Sequence, residues 1–305
     1  MYLSYSGWKK SDNCGFDYWL GYVAKVPLPE PDDRLGSIYG SVVGKLFEDF
    51  YNEEIYRQGQ PQGIVMGRVG ETIRSIIEEE IHPSASWKKG GVLKWKGTGP
   101  DQNPKAMYTD EAELAADVRD AVSRGFEIIR HHRLLGKGAQ AEVPLDATIL
   151  GHKLGGRADF IMRRVKPFQD EILLDGKGSR WLDAYVDKRQ LQWYAMLFQE
   201  RNKRLPDQLG FVFWRAESVE DAVLWVPVVP DEIQALKEQV LADIRKIEAR
   251  ISGPKLTIEA ARRVFLPIAE RTDVSKEDKK QACRFCSYAI EAICPAGAQI
   301  VDEKR

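Results

Sequence analysis

Two apolar-patterned runs, GGRADFIMRR and EILLDGKGS, stand on either side of a polar connector that contains Pro167. Short runs of this kind, separated by a proline-bearing loop, predict a pair of β-strands. Asp159 comes early in the first run, and Asp175 and Lys177 close the second. Antiparallel pairing would bring the two carboxylates together at one end of the hairpin, with Lys177 on the strand face of Asp175 two residues on. Paired carboxylates beside an ammonium suit a divalent cation and an activated water. A solvated hairpin end with incidental charges has the same local pattern, so the choice between them depends on the rest of the chain.

Upstream, SIYGSVVGKLFEDFYNEEIYRQG sets Ile38, Val42, Leu46, Phe50 and Ile55 close to one face, which predicts a helix ending near Gly59 with Glu48 on or near that face. VMGRVGETIRSIIEEEIHP predicts a second helix, stopped by His82 and Pro83, and a third runs from about Asp110 to Leu135 with Leu114, Val118, Val122, Phe126 and Ile129 inward. AEVPLDATIL alternates as a strand, with Glu142 opening it; a glycine-rich turn at Gly151 to Gly156 follows, in which His152 reads as a solvated loop residue. After Lys177, the segment GSRWLDAYVDKRQLQWYAMLFQERNKRLP predicts a long helix on which Gln190 and Tyr194, one turn apart, share a face. QLGFVFWRA and AVLWVPVV predict a further hairpin, and DEIQALKEQVLADIRKIEARIS a helix. The class is α/β, a mixed sheet flanked by helices.

Cys14 stands alone near the N-terminus, whereas Cys283, Cys286 and Cys294 crowd into QACRFCSYAIEAICPAG. A C-x-x-C pair fits zinc, an iron–sulfur cluster or a redox pair, and buried, unconnected cysteines are the bland alternative. The third cysteine close by, and a fourth with no other partner, favour a structural four-thiolate site that ties the two ends of the chain together. Closing so long a loop would stabilise the fold by on the order of 5 kcal/mol, by analogy with a disulfide.

The stretch SWKKGGVLKWKGTGPDQNPKAMY has no hydrophobic period, and in it Lys88, Lys89, Lys94 and Lys96 interleave with Trp87 and Trp95. Lysines and aromatics on a loop can follow a phosphate backbone and stack bases; a surface loop whose tryptophans fold back onto the body is the alternative. The formal net charge of −1 argues against non-specific coating of nucleic acid but permits a local basic groove. No apolar run approaches the roughly 18 residues of a membrane helix. The opening MYLSYSGWKKSDNCG has no apolar core of the kind a secretory signal needs. A cytoplasmic location and no membrane partner are expected.

In this order, the helix, the strand carrying Asp159, the strand carrying D-x-K and the helix carrying Q-x-x-x-Y resemble the PD-(D/E)XK nuclease superfamily. The match is closest to the RecB/AddB-type branch and the related CRISPR adaptation nucleases that carry an iron–sulfur cluster. LSYSGWKKSDNCGFDYWLGYV resembles the branch's N-terminal serine motif and first cluster cysteine, YGSVVGKLFEDFY its first core helix, GGRADFI its aspartate motif, ILLDGKGS its D/E-x-K motif and RQLQWYAML its Q-x-x-x-Y helix. The resemblance implies a restriction-endonuclease-like core over 37–252 with a helical insertion at 60–135, an N-terminal cluster-contributing segment at 1–36 and a C-terminal cysteine segment at 253–305.

It implies further that Asp159, Asp175 and the carbonyl of Gly176 bind Mg²⁺ or Mn²⁺, that Lys177 orients and polarises the attacking water, and that Gln190 and Tyr194 position the nucleic-acid backbone or brace the site. Glu142 is a supporting residue, and Cys14, Cys283, Cys286 and Cys294 hold an iron–sulfur cluster of the 4Fe–4S type, with zinc as the alternative. There are two departures from the family pattern. Gly44 stands where a histidine commonly follows Gly40, leaving Glu48, one turn further on, to reach toward the metal, and the gap between Cys286 and Cys294 is wider than usual. The implied activity is an exonuclease acting on DNA ends or single strands in repair or recombination, working with a helicase or another recombination or adaptation protein. The alternative is a weak or inactive DNA-binding or assembly subunit that keeps the fold.

Overall fold

The computed structural model describes residues 2–27, 35–82, 91–99, 102–135, 138–163, 171–178, 186–252, 255–284, 286–290 and 292–302. Trp87, Lys88 and Lys89, the Pro167 connector and the first part of the predicted helix after Lys177 lie outside these residues. From the N-terminus the elements are β1 (Tyr2–Ser4), α1 (Tyr5–Asn13), α2 (Gly15–Tyr18), α3 (Leu35–Asn52), α4 (Pro61–Ile81), α5 (Glu111–His131), β2 (Gln140–Pro144), β3 (Ala147–Ile149), β4 (His152–Gly155), β5 (Arg157–Arg163) and β6 (Glu171–Lys177). They continue with α6 (Lys188–Asn202), β7 (Gln208–Phe213), β8 (Val223–Val226), α7 (Pro230–Ile251), α8 (Ile258–Val264), α9 (Lys276–Arg284), α10 (Ser287–Ile290) and α11 (Pro295–Asp302). Two compact units result, one from residues 1–29, 148–155 and 235–305, the other from 30–147 and 156–234.

The larger unit is built on a five-stranded sheet in the order β2-β5-β6-β7-β8, antiparallel at every step except the parallel pairing of β6 with β7. A parallel step needs a crossover, and α6 supplies it. Asp187 caps this helix, its side chain accepting from the Arg189 N–H at 3.1 Å. Ile172, Leu173 and Leu174 of the central strand β6 are all buried, which is why this strand is a continuous apolar run rather than an alternating one.

Helix α3 buries Ile38, Val42, Leu46 and Phe50 as its spacing predicts. Its Phe47 stacks on Trp214 at 4.3 Å, and its Tyr51 meets Phe160 edge-on at 5.6 Å. Gly125 of α5 is required by this packing: a Cβ there would come within 2.1 Å of the Phe47 ring. Asp110 caps α5 by accepting from the Glu113 N–H at 2.8 Å, while the Glu113 carboxylate accepts from the Thr109 N–H at 2.7 Å.

The smaller unit contains a second sheet in the order β1-β4-β3, with β1 and β4 parallel. The stretch from Gly151 to Gly156 is therefore not one long turn. The turn contracts to Leu150 and Gly151, both in the left-handed region at φ 48° and 84°, and His152–Gly155 becomes a strand. In the sheet it lies between β3, its neighbour across this two-residue turn, and β1 near the N-terminus, and the second of these pairings joins segments far apart in sequence. His152 is consequently not solvated in a loop; its Nδ1 lies 3.3 Å from Glu248 Oε1 of α7. Trp8 of α1 is also fixed to α7, donating from Nε1 to Asp243 Oδ2 at 3.2 Å. Among the described residues no helix is long and apolar enough to cross a membrane.

Candidate active site

The β5–β6 register runs from Arg163–Glu171 to Phe160–Leu174, and one further step sets Asp159 opposite Asp175. Gly176 N–H donates to Asp159 Oδ2 at 2.7 Å. Lys177 Nζ lies 2.5 Å from Asp175 Oδ2 and 5.2 Å from the centre of the Phe211 ring. From α6, Gln190 Nε2 donates to Asp175 Oδ1 at 2.9 Å and to the Tyr194 hydroxyl at 3.0 Å, and Gln190 Oε1 accepts from Lys177 Nζ at 3.4 Å. One amide thus joins the acid, the ammonium and the phenol.

Burial raises the Asp159 carboxyl well above the ordinary range, and the charge of Asp175 adds to the effect while the Gly176 N–H opposes it. Burial raises Asp175 too, against the pull of Lys177. Tyr194 is raised chiefly by burial and stays a neutral phenol.

Glu142 lies between the Ala141–Phe160 and Val143–Ala158 pairs, opposite Asp159, in a left-handed conformation at φ 53°. A non-glycine residue in that region within a strand is strained, and such strain gathers at functional positions. Its carboxylate adds to the raising of Asp159 and lies 3.2 Å from Arg157 Nη1. A cavity of about 560 Å³ is lined by Gly44 and Glu48 of α3, Glu142, Arg157, Asp159 and Trp214, among others. Glu48 shares the cavity with Asp159 and pairs with Lys45 at 3.2 Å. At Gly44 a Cβ would meet nothing within 4 Å, so the side of the cavity next to this position is open.

A family model described as the PD-(D/E)XK nuclease superfamily matches residues 2–295. The chain belongs to the PD-(D/E)XK nuclease superfamily. Nucleases of this superfamily hydrolyse nucleic-acid phosphodiesters and typically use Mg²⁺ or Mn²⁺, so membership implies a nuclease fold built to act on DNA. Among solved structures, one described as "Crystal structure of SSO0001" is 16% identical, covering 60% of this chain and 75% of that chain with a TM-score of 0.27. No curated protein matches.

Among the described residues no three or more His, Cys, Asp or Glu side chains form a ready-made metal site. The Asp159–Asp175 pair nevertheless suits the superfamily's divalent ion. Burial raises both carboxyls, the charge of Asp175 raises Asp159 further, and the Lys177 ammonium against Asp175 Oδ2 offsets only part of this. A divalent cation beside the pair would favour the ionised form of both.

In the smaller unit the four cysteines are free and collect in two adjoining hydrophobic clusters. Burial and the charges of the other three thiols push Cys283 up to about 12, and burial pushes Cys286 up to about 11. The Ile268 N–H donates to Cys14 Sγ at 3.4 Å, a contact of the kind that steadies a metal-bound thiolate.

Of the basic loop, Lys94 and Trp95 are half-buried and Lys96 is exposed. Trp214, the wall of the cavity, was not singled out from the sequence. Its backbone N–H donates to the Lys177 carbonyl at 3.2 Å, and a Cβ at Gly176 would lie 3.0 Å from its Nε1. The available signal was its place in WRA, directly after the strand that pairs with β6.

Proposed function

We propose that this chain is a divalent-metal-dependent deoxyribonuclease of the RecB/AddB type, acting as an exonuclease on DNA ends or single strands. The observation that carries this reading is the junction at Gln190, which holds Asp175, Lys177 and Tyr194 in one hydrogen-bonded set beside Asp159. Asp159, Asp175 and the Gly176 carbonyl hold Mg²⁺ or Mn²⁺, with Glu48 and Glu142 in support. When bound, the ion supplies Lewis acidity and lowers the pKa of a water. Lys177 orients that water and stabilises the charge that develops on the phosphoryl oxygens. Gln190 keeps the lysine and the aspartate in register, and Tyr194 fixes the amide. Phe211 and Trp214 keep this end of the site dry, which strengthens each charge interaction.

Cys14, Cys283, Cys286 and Cys294 hold an iron–sulfur cluster of the 4Fe–4S type in a structural role, with zinc as the alternative; four free thiols suit the reducing cytoplasm. Brown colour and absorption near 400 nm after anaerobic purification are expected, and a colourless protein with stoichiometric zinc replaces the assignment. Unwinding of duplex falls to a partner helicase or another recombination or adaptation protein.

End-labelled single-stranded and duplex DNA, incubated with and without Mn²⁺, test the activity and its polarity together. Asp175→Ala and Lys177→Ala are expected to lower the rate of cutting by about 10²-fold or more; equal rates in variants and parent overturn the assignment. The open space at Gly44 favours a second reading, a DNA-binding or assembly subunit that retains the fold. Calorimetric titration with Mn²⁺ separates the two, because a scaffold has no need of the ion.

A further inference from the structure

The loop that carries Lys94, Trp95 and Lys96 is folded on itself. Lys96 N–H donates to the Tyr108 carbonyl at 2.7 Å, and Asn103 N–H to the Trp95 carbonyl at 2.9 Å. Tyr108 in turn is buried, and its hydroxyl donates to Asp117 Oδ2 of α5 at 2.6 Å. The same carboxylate oxygen accepts from Arg215 Nη2 at 2.8 Å. The Arg215 guanidinium lies 4.5 Å over the ring of Tyr39, which stacks on Tyr108 at 6.4 Å. Burial and the neighbouring Asp117 carboxylate raise the Tyr108 phenol, which keeps the donor protonated.

This clamp ends at the candidate site. Arg215 follows Trp214, whose N–H is bonded to the Lys177 carbonyl, and the Tyr39 ring lies 3.6 Å from where a Cβ at Gly178, next after Lys177, would stand. Beyond the clamp the loop presents exposed Lys96 and Lys105 beside half-buried Lys94 and Trp95. The Lys96 charge reaches the Glu113 carboxylate, itself held by the Thr109 N–H, and among the described residues no ion pair within 4 Å ties Lys94 or Lys105 to a carboxylate. A structural plug would have no need of cations left open around an indole, whereas a single-stranded polynucleotide uses both: ammonium groups follow its phosphates and an aromatic face stacks a base.

Building on the nuclease reading, we infer that residues 91–99 and 102–109 are a guide for single-stranded nucleic acid. Lys94, Lys96 and Lys105 neutralise phosphates and Trp95 stacks a base. Tyr108, Asp117 and Arg215 act as positioning residues that hold the guide against the Trp214 wall of the site.

The test is fluorescence anisotropy with a labelled poly-dT strand and Ca²⁺ across a salt series, alongside Mn²⁺ calorimetry. Lys94→Ala combined with Lys96→Ala should flatten the slope of log K against log salt by about 1.4, at about 0.7 per phosphate contact on a single strand. Trp95→Ala should weaken binding by roughly 5- to 150-fold. Tyr108→Phe, which removes only the hydroxyl that reaches Asp117, should weaken binding in the same direction by a smaller factor. All are expected to leave Mn²⁺ affinity at the parent value. Lys96 is exposed and Lys94 only half-buried, so the lysine variant reports even where the tryptophan variant fails to fold. If the parent binds and cuts single strands while the lysine variant keeps the full salt slope, the guide is overturned and the nuclease reading stands. If the parent neither binds nor cuts any DNA with Mn²⁺, both fall.

Discussion

The carboxylate–lysine site and the cysteine segment are assembled in opposite ways. Asp159, Asp175 and Lys177 come from a single hairpin, and strand pairing alone brings them together, with Gln190 and the Gly176 N–H completing the hydrogen bonds. The cysteines come from the two ends of the sequence and collect in hydrophobic clusters, where burial raises each thiol and the charge of Cys14 adds to the raising of the other three. On the proposed reading, the first site is held by its own backbone and would bind its ion as an accessory to folding. The second gathers thiols that burial holds in the neutral form, so a centre bound there would be part of what stabilises the unit around them. The first should therefore control rate and the second stability.

Lys177→Ala gives the largest effect and the sharpest contrast. Loss of one preorganised cation at the developing charge should lower kcat by about 10²- to 10³-fold in a Mn²⁺-dependent digestion assay, with the melting temperature close to that of the parent. Cys283→Ser should do the reverse. With a thiolate lost from a long-range tie worth on the order of 3–5 kcal/mol, the melting temperature should drop by about 10 °C, with activity per folded molecule retained. A lysine variant that unfolds, or a serine variant that melts with the parent, would break the comparison.

The pH response sharpens it further. Because burial and Asp175 raise Asp159, the folded metal-free protein binds more protons than the unfolded chain at any pH between the ordinary carboxylate value and the raised one. Stability of the metal-free protein should therefore fall as pH rises through that window, as chemical denaturation at several pH values would show. An ion that needs both carboxylates ionised displaces those protons, so Mn²⁺ affinity should rise over the same window, by up to tenfold per pH unit where one proton is released. Asp159→Asn removes the like-charge pair and should flatten the stability profile. A metal-free profile that rises with pH would contradict the buried-pair geometry.

What the sequence disclosed follows the same division between local and distant pairing. The stripe of α3, the D-x-K strand and the Gln190–Tyr194 face are set by periods within one element, and the structure has them in those elements. Strand β4 was hidden because it and its local partner β3 are each only three or four residues long, and its other partner, β1, is distant in sequence. The Arg215–Asp117–Tyr108 set was hidden for a related reason: an arginine after a strand, an aspartate in a helix and a tyrosine in a loop acquire meaning only once they meet. Trp214 illustrates the middle case, since parallel pairing of β6 with β7 sets Lys177 against Phe213 and brings the next residue to the site.

Gly44→His carries the smallest predicted effect and probes how complete the hairpin site is on its own. The position lines the same cavity as Asp159 and Glu48, and an added Cβ meets nothing within 4 Å, so the imidazole has room to enter without displacing the core of α3. Replacing a helical glycine also favours the helix by up to about 1 kcal/mol, so folding is not the obstacle. A nitrogen donor added to an oxygen set should tighten Mn²⁺ by several-fold, on the order of 1 kcal/mol, and Mg²⁺ by less, because magnesium prefers oxygen ligands and keeps its waters. Calorimetry with both ions measures that difference directly. If neither affinity changes while Glu48→Gln weakens both, the helix already contributes its ligand through Glu48, and the glycine is a vacancy that the carboxylate has made unnecessary.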